Sequence, residues 1–386
     1  RAQWTPVEEA LYGVTDIFNT PLDQAEELRL RAIRHTFSHH YQNNRMYHKF
    51  CQEHGFSPDD LRTPADLERV PLIPGRFFKD YPDGEDFALW LANIYTGKLP
   101  RIRIRKGQNM VEETLKAFNA AGLVVAFSSG TSGRQTFIPR DRRTFNAAEY
   151  ALAKAGALMN YPEWREDLYG YLLMPNPRKT NVFAGKVGTI YLDLMIDPQV
   201  ALNRNVSLDV IRLAMSGQGG LKARLVRKVV QWSSQRLVDK IIRWLERHAK
   251  KQDVMTLAGA PFLVMSVLKR LESQGRSFNL PETLGIITGG GWKVYENQRI
   301  TSAEFRQSAG RILGVQPKHC IDVYGMVECN AWCMHCPDGH YFHIPYTILK
   351  PLVLDQDNKP LPYGEWGRFA FLDALATSYP GFMTTG

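Results

Sequence analysis

From residue 123 onward, short and nearly continuous apolar runs alternate with longer stretches whose apolar positions recur every three or four residues. The runs at 123–127, 168–174, 254–257, 284–288, 320–324, 351–354 and 367–372 are rich in β-formers and predict buried strands. Helical spacing lies between several of them, at 146–160, in a basic pair of amphipathic helices over 221–251, at 261–274 and at 295–313. Strands alternating with helices predict an α/β fold with a largely parallel sheet. In such sheets, ligands bind beyond the carboxyl ends of the strands. Before residue 120 the pattern is mainly helix and loop. A long helix is expected at 22–47, a short one from Pro64, a Pro-punctuated stretch at 70–78 and an exposed strand at 101–106. The expected organisation is a helical N-terminal portion, 1–120, packed on an α/β core, 121–386.

Composition narrows the class. The chain has 386 residues, 44% hydrophobic and 23% charged, as in ordinary globular proteins. No apolar run approaches the roughly 20 residues that span a bilayer, so no membrane span is expected. The opening residues, 1–12, carry no apolar core of signal-peptide type, and the expected compartment is the cytoplasm. Cys51 stands alone, while Cys320, Cys329, Cys333 and Cys336 crowd together, which does not resemble a secreted disulfide framework. Much of the +9 net charge falls on the basic helices, from Lys222 to Lys251. That face reads either as a solvated surface or as a dock for an acidic partner. Nucleic acid is not expected, because no interleaved aromatics or recognised motif accompany the charge.

Three strand ends carry chemistry. The first strand runs into Ser128-Ser129-Gly130-Thr131-Ser132-Gly133, and a second strand follows at 136–139. Closely spaced amides, hydroxyls and glycines suit a polyphosphate. The loop lacks the Gly-Lys-Ser/Thr of a Walker loop, and read alone it is also a flexible hairpin tip. The strand at 284–288 ends in Gly289-Gly290-Gly291-Trp292-Lys293, where glycines admit a flat ligand or simply make a tight turn. The strand at 320–324 continues as Tyr324-Gly325-Met326-Val327-Glu328, an aromatic to stack on a base and a carboxylate to hold a metal.

These elements, in this order, resemble the signature of the adenylate-forming superfamily, which includes acyl-CoA ligases, nonribosomal adenylation domains and luciferases. Within it the chain is most similar to the acyl-protein synthetases of bacterial luminescence, and it also resembles phenylacetate–CoA ligases. The likeness extends through Val70-Pro71-Leu72-Ile73-Pro74, Phe77-Phe78-Lys79, Leu361-Pro362-Tyr363-Gly364-Glu365-Trp366-Gly367 and Ser378-Tyr379-Pro380-Gly381. It implies the large N-terminal domain of such an enzyme, with mainly parallel sheets flanked by helices. It implies that Ser128–Gly133 cradle the ATP phosphates, that Gly289–Gly291 flank the adenine with Tyr324, Gly325, Met326 and Val327, and that Glu328 helps hold Mg²⁺. The family has Thr where this chain has Val327, so one phosphate contact is in question. Lys293 is either its substitute or a surface lysine.

The implied reaction activates a carboxylic acid, expected to be fatty, as acyl-AMP and passes the acyl group to a thiol. Two acceptors stay open: a protein cysteine, with an acyl reductase/transferase complex as partner, or coenzyme A. A reading of another class is a non-catalytic nucleotide-binding or zinc-stabilised interaction subunit. In the superfamily the run Phe382-Met383-Thr384-Thr385-Gly386 precedes a ribose-binding aspartate and a smaller C-terminal region. Both are expected beyond residue 386, together with the acylated cysteine and a catalytic lysine.

Cys329, Cys333 and Cys336, with His335 between and His340 and His343 after, have spacing suited to a structural Zn²⁺. They also suit reduced cysteines packed in a loop. Phe183, Phe262 and Trp332 are expected to line an acyl pocket.

Overall fold

The computed structural model describes residues 4–105, 107, 109–128, 134–159, 165–203, 221–336 and 341–385, with only the backbone at 221–234, 293 and 294. Thirteen strands are described: β1 Ile73–Pro74, β2 Val124–Phe127, β3 Phe137–Arg140, β4 Leu168–Pro175, β5 Ile196–Leu202, β6 Val254–Gly259, β7 Leu284–Gly289, β8 Cys320–Tyr324, β9 Cys333–His335, β10 Phe342–His343, β11 Leu349–Leu354, β12 Arg368–Asp373 and β13 Phe382–Thr384. A seven-stranded sheet has the order β10-β9-β8-β7-β6-β4-β5. It is parallel from β5 to β8, and β9 and β10 join antiparallel.

The parallel strands are buried on both faces, which is why they read as continuous apolar runs. Side chains alternate between two cores. Met255, Leu257 and Ile286 face Ile241, Leu245, Val264, Leu268 and Leu313 from the helices Leu221–Lys251, Pro261–Ser273 and Ser302–Leu313. Val254, Ala258 and Ile287 face the other way, toward Leu172 and Met195. Each fully buried Leu or Ile stabilises the fold by about 1.5–3 kcal/mol relative to exposure. A four-stranded sheet, β1-β13-β12-β11, packs in a further core that also takes side chains from the N-terminal helices, among them Phe37 and Tyr47.

The first expected strand does not enter the parallel sheet. It pairs antiparallel with β3 as a separate two-stranded unit, so the Ser/Gly segment joins two antiparallel strands. The expected helix at 22–47 divides into Leu22–Asn43 and Arg45–Glu53. Asn44 causes the break: its Oδ1 accepts the Tyr47 amide at 2.9 Å and caps the second helix. The stretch at 295–313 likewise divides, because the Thr301 and Glu304 side chains form a capping box that starts a new helix at Ser302. The basic segment is one helix, Leu221–Lys251, not two. No strand forms at 101–105, and residue 106 lies outside the described residues. None of the described helices is long and apolar enough to cross a membrane.

Candidate active site

A cleft of about 620 Å³ lies beyond the carboxyl ends of β7 and β8, faced by the ends of β2 and β13 and by Phe371 of β12. Described residues of three sequence motifs meet in it. Ser128, Gly290, Gly291 and the run Tyr324–Glu328 all line the wall. Gly290 and Gly291 have φ of 76° and 69°, a left-handed pair that favours glycine and turns the chain sharply off β7. Gly289 is the last residue of β7, paired with Val323, and sits behind the lining. The Tyr324 ring is exposed to the cleft, 6.0 Å from Phe342 and 6.4 Å from Phe369. The Ser128 hydroxyl accepts the Thr136 amide at 2.9 Å and retains its own hydrogen to donate. Ser129, Gly130, Thr131, Ser132 and Gly133 lie outside the described residues. Lys293 begins a 3₁₀ turn after the glycine loop, and its side chain is outside the described residues.

Behind the Tyr324–Glu328 loop is a buried polar network. Arg140 is fully buried, with Nε donating to Asn330 Oδ1 at 2.7 Å. Its Nη2 donates to the Val327 carbonyl and, at 3.1 Å, to the Tyr379 hydroxyl oxygen. That hydroxyl donates to the Glu328 carbonyl at 2.9 Å. Asn330 donates its amide and Nδ2 to Asp373 Oδ2 at 2.7 and 2.9 Å. Burial pushes the Asp373 carboxyl up to about 6, against the hydrogen bonds and the Arg140 charge that favour ionisation. Val327 is itself buried in the core, and Glu328 is half-buried on the cleft wall.

The family model for Acyl-protein synthetase, LuxE, matches residues 9–83 and 225–386, the second stretch containing both the glycine loop and the Tyr324–Glu328 loop. The chain belongs to this family. It is 24% identical over 365 residues to the long-chain-fatty-acid–luciferin-component ligase of Vibrio harveyi, covering 94% of this chain and 79% of the relative. It is 23% identical over 366 residues to the enzyme of the same name from Aliivibrio fischeri, with the same shares covered. Among solved structures it resembles an open conformation of 2-hydroxyisobutyryl-CoA ligase in complex with 2-HIB-AMP and CoA, with a TM-score of 0.60 and 14% identity. The chain spans 66% of that enzyme's length, and the match covers 96% of this chain. The fold is therefore the α/β fold of adenylate-forming enzymes, and both relatives are named as ligases.

The apolar side of this LuxE-family cleft is built by Phe183 and Trp332, stacked at 5.5 Å and 15°. Phe262 is not part of it. It stacks on Tyr295 at 4.8 Å beside the second core. Gly325 is required by Trp332, because a Cβ there would lie 2.3 Å from Cζ3 of the indole.

The expected zinc site is not seen among the described residues. Among the described residues no three His, Cys, Asp or Glu side chains converge as a metal requires, and His340 lies outside them. Several of these residues have other contacts. The Cys329 thiol donates to the Ala331 carbonyl at 3.5 Å, and the Cys333 side chain is packed in the core. Cys336 accepts Arg306 through its carbonyl at 3.0 Å, and His343 lies edge-on to Phe18 at 6.3 Å. The Nδ1 of His335 is held by the Arg306 guanidinium at 2.7 Å. Because arginine only donates, that nitrogen's lone pair is already committed.

Several lining residues escaped sequence reasoning. Thr288 donates to Asp322 at 2.7 Å on adjacent strand ends, and burial raises the Asp322 carboxyl above its ordinary range. The pair faces each other because β7 and β8 are in register there. Arg299, paired with Glu296 at 2.9 Å, also lines the cleft, as does Lys79. Lys79 follows two phenylalanines within a family-like stretch, a signal that marked the segment without marking a role.

Proposed function

We propose that this chain activates a long-chain fatty acid with MgATP as an acyl-AMP and passes the acyl group to a thiol. The observation that carries the reading is the shared cleft: Ser128, the Gly290–Gly291 turn and the Tyr324–Glu328 loop face one space. Tyr324 offers a flat, accessible ring on which adenine stacks, and the left-handed glycine pair lets the base approach the backbone. Ser128 and the following loop donate to the triphosphate. Glu328 supplies oxygen for the Mg²⁺ that accompanies ATP, as suits a hard cation. With a valine at 327, the hydroxyl found in other superfamily members is replaced by a cation, and Lys293 is assigned that part.

A carboxylate is a poor acyl donor because oxide is a very poor leaving group. Its oxygen attacks the α-phosphorus of ATP, pyrophosphate departs, and a mixed anhydride forms. A thiolate then attacks the acyl carbon and AMP departs. The chain's part is to align the carboxylate with phosphorus and to neutralise phosphate charge as it shifts. The apolar wall of Phe183 and Trp332 is assigned to the acyl chain. None of the five cysteines lines the cleft, and burial pushes Cys51, Cys320 and Cys333 up to about 12. The acceptor thiol is therefore presented to the cleft from elsewhere.

The test is acid-dependent exchange of labelled pyrophosphate into ATP across a panel of chain lengths. Exchange with long-chain acids is expected, and Glu328→Gln should lower it at least a hundredfold, in the range seen when transition-state charge stabilisation is removed. Absence of acid-dependent exchange would leave a nucleotide-binding subunit without catalysis. Coenzyme A-dependent release of AMP would identify the acceptor as coenzyme A, not a protein cysteine.

A further inference from the structure

We infer that Arg140 and Tyr379 are positioning residues that set the direction of the Glu328 carboxylate by holding the two carbonyls on either side of its Cα. The inference rests on the reading of Glu328 as the residue that holds Mg²⁺ with ATP. A residue has two soft backbone torsions, and each is fixed once the flanking peptide plane is fixed. The plane before the Glu328 Cα carries the Val327 carbonyl, which accepts Arg140 Nη2. The plane after it carries the Glu328 carbonyl, which accepts the Tyr379 hydroxyl at 2.9 Å. With both planes tied, the Cα–Cβ bond has one direction, toward the cleft that Glu328 lines.

The ties are rigid because their donors are held in turn. Asn330 Nδ2 has two hydrogens, one for Asp373 Oδ2 at 2.9 Å and one for the Tyr379 oxygen at 3.0 Å. Arg140 Nη2 likewise divides its two between Val327 and Tyr379. Asp373 Oδ1 accepts the Leu375 amide at 2.8 Å, anchoring the cluster to the turn after β12. Arg140 lies over the Phe183 ring at 4.2 Å and the Tyr379 ring at 5.1 Å, so its guanidinium cannot swing away without losing both. Arg140, Asn330, Asp373 and Tyr379 are each fully buried, and only Arg140 Nη1 is without a partner. A buried cation that spends its hydrogen bonds on a motif carbonyl and its neighbours is a costly way merely to fill space. Its geometry is accounted for by what it holds.

The experiment measures equilibrium binding of ATP by calorimetry with and without Mg²⁺, in the whole chain and in Tyr379→Phe, Arg140→Lys, Arg140→Gln and Glu328→Gln. Tyr379→Phe keeps the ring and deletes one hydrogen bond. It should leave the affinity for ATP alone unchanged and reduce the Mg²⁺-dependent gain about five- to tenfold. In pyrophosphate exchange it should raise the KM for MgATP by the same factor while the KM for the acid stays put. Arg140→Lys, which retains the charge and most of the reach, should lose less than Arg140→Gln. A purely structural role would weaken ATP binding equally with and without the metal, or change only the active fraction, and either result would overturn the inference. If the Arg140 variants do not fold, the Tyr379→Phe comparison decides alone. Loss of the Mg²⁺ gain in Glu328→Gln but not in Tyr379→Phe would refute the positioning role. Retention of the full gain in Glu328→Gln would instead refute the metal role of Glu328 itself.

Discussion

Gly325→Ala is the substitution whose cost the cleft wall defines most sharply. The added methyl would lie 2.3 Å from Cζ3, 2.4 Å from Cε3 and 3.3 Å from Cη2 of Trp332, all atoms of the outer indole ring. The indole is held in place by its neighbours. It is 5% exposed, stacks on Phe183, and donates Nε1 to the Ala148 carbonyl at 3.2 Å. Overpacking a filled site costs about 1–3 kcal/mol, and losing the indole hydrogen bond adds about 1 kcal/mol. The expected destabilisation is therefore about 2–4 kcal/mol. Urea unfolding followed by far-UV circular dichroism would measure it through the shift in midpoint. Gly291→Ala is the control, because φ is +69° there and nothing lies within 4 Å. It should cost only the backbone strain, about 1–2 kcal/mol. In a Trp332→Leu background the outer ring is gone, and Gly325→Ala should cost at least 1 kcal/mol less than in the native chain. A penalty that is the same in both backgrounds would show that Trp332 is not what forbids a side chain at 325.

Two further outcomes are expected. His40 is fully buried, with Nε2 against the Ala376 carbonyl at 2.7 Å and Nδ1 against the Thr96 hydroxyl at 2.8 Å, and burial pushes it down to about 3. Unfolded, it takes a proton near 6.5, so its stabilising contribution is complete above that pH and is lost as pH falls toward 3. The native chain should lose up to about 1.4 kcal/mol per pH unit relative to His40→Gln across that window, measured by urea unfolding at stepped pH. Asp373 and Glu149, raised to about 6 and about 7, act in the opposite sense in both proteins and cancel in the difference. A flat difference would mean that His40 titrates normally when folded. Separately, a zinc chelator should leave the thermal midpoint unchanged, since Cys329 and Cys333 are packed in the core and Arg306 occupies His335. A chelator-induced drop of several degrees would restore the metal site.

What the sequence disclosed follows from how far each signal travels along the chain. The parallel strands were legible because burial on both faces writes itself as a continuous apolar run, as in β6 and β7. The glycine loop and the Tyr324–Glu328 loop were legible because each is local, and the sheet register then delivers both to one rim. Helix boundaries failed where a single polar side chain decides them, as Asn44 and Thr301 do inside otherwise periodic stretches. The cysteine spacing specifies only which residues can reach one point; Cys329 and Cys333 are packed in the core, and among the described residues no three ligating side chains converge.

The polar network behind Glu328 was invisible for a deeper reason. Arg140 meets Val327 across 187 residues, Asn330 across 190 and Tyr379 across 239. Two of the groups being held are backbone carbonyls, which every residue possesses, so the held positions carry no side-chain signature at all. Tyr379 sits in the family-like run Ser378-Tyr379-Pro380-Gly381, which marks the segment without marking a role, and Arg140 sits at the end of β3 with no local signal. Only the fold reveals that both donors converge on adjacent carbonyls. A site of this kind is thus divided in two: the groups that touch a ligand are written locally in motifs, and the groups that aim them are written only in the tertiary structure.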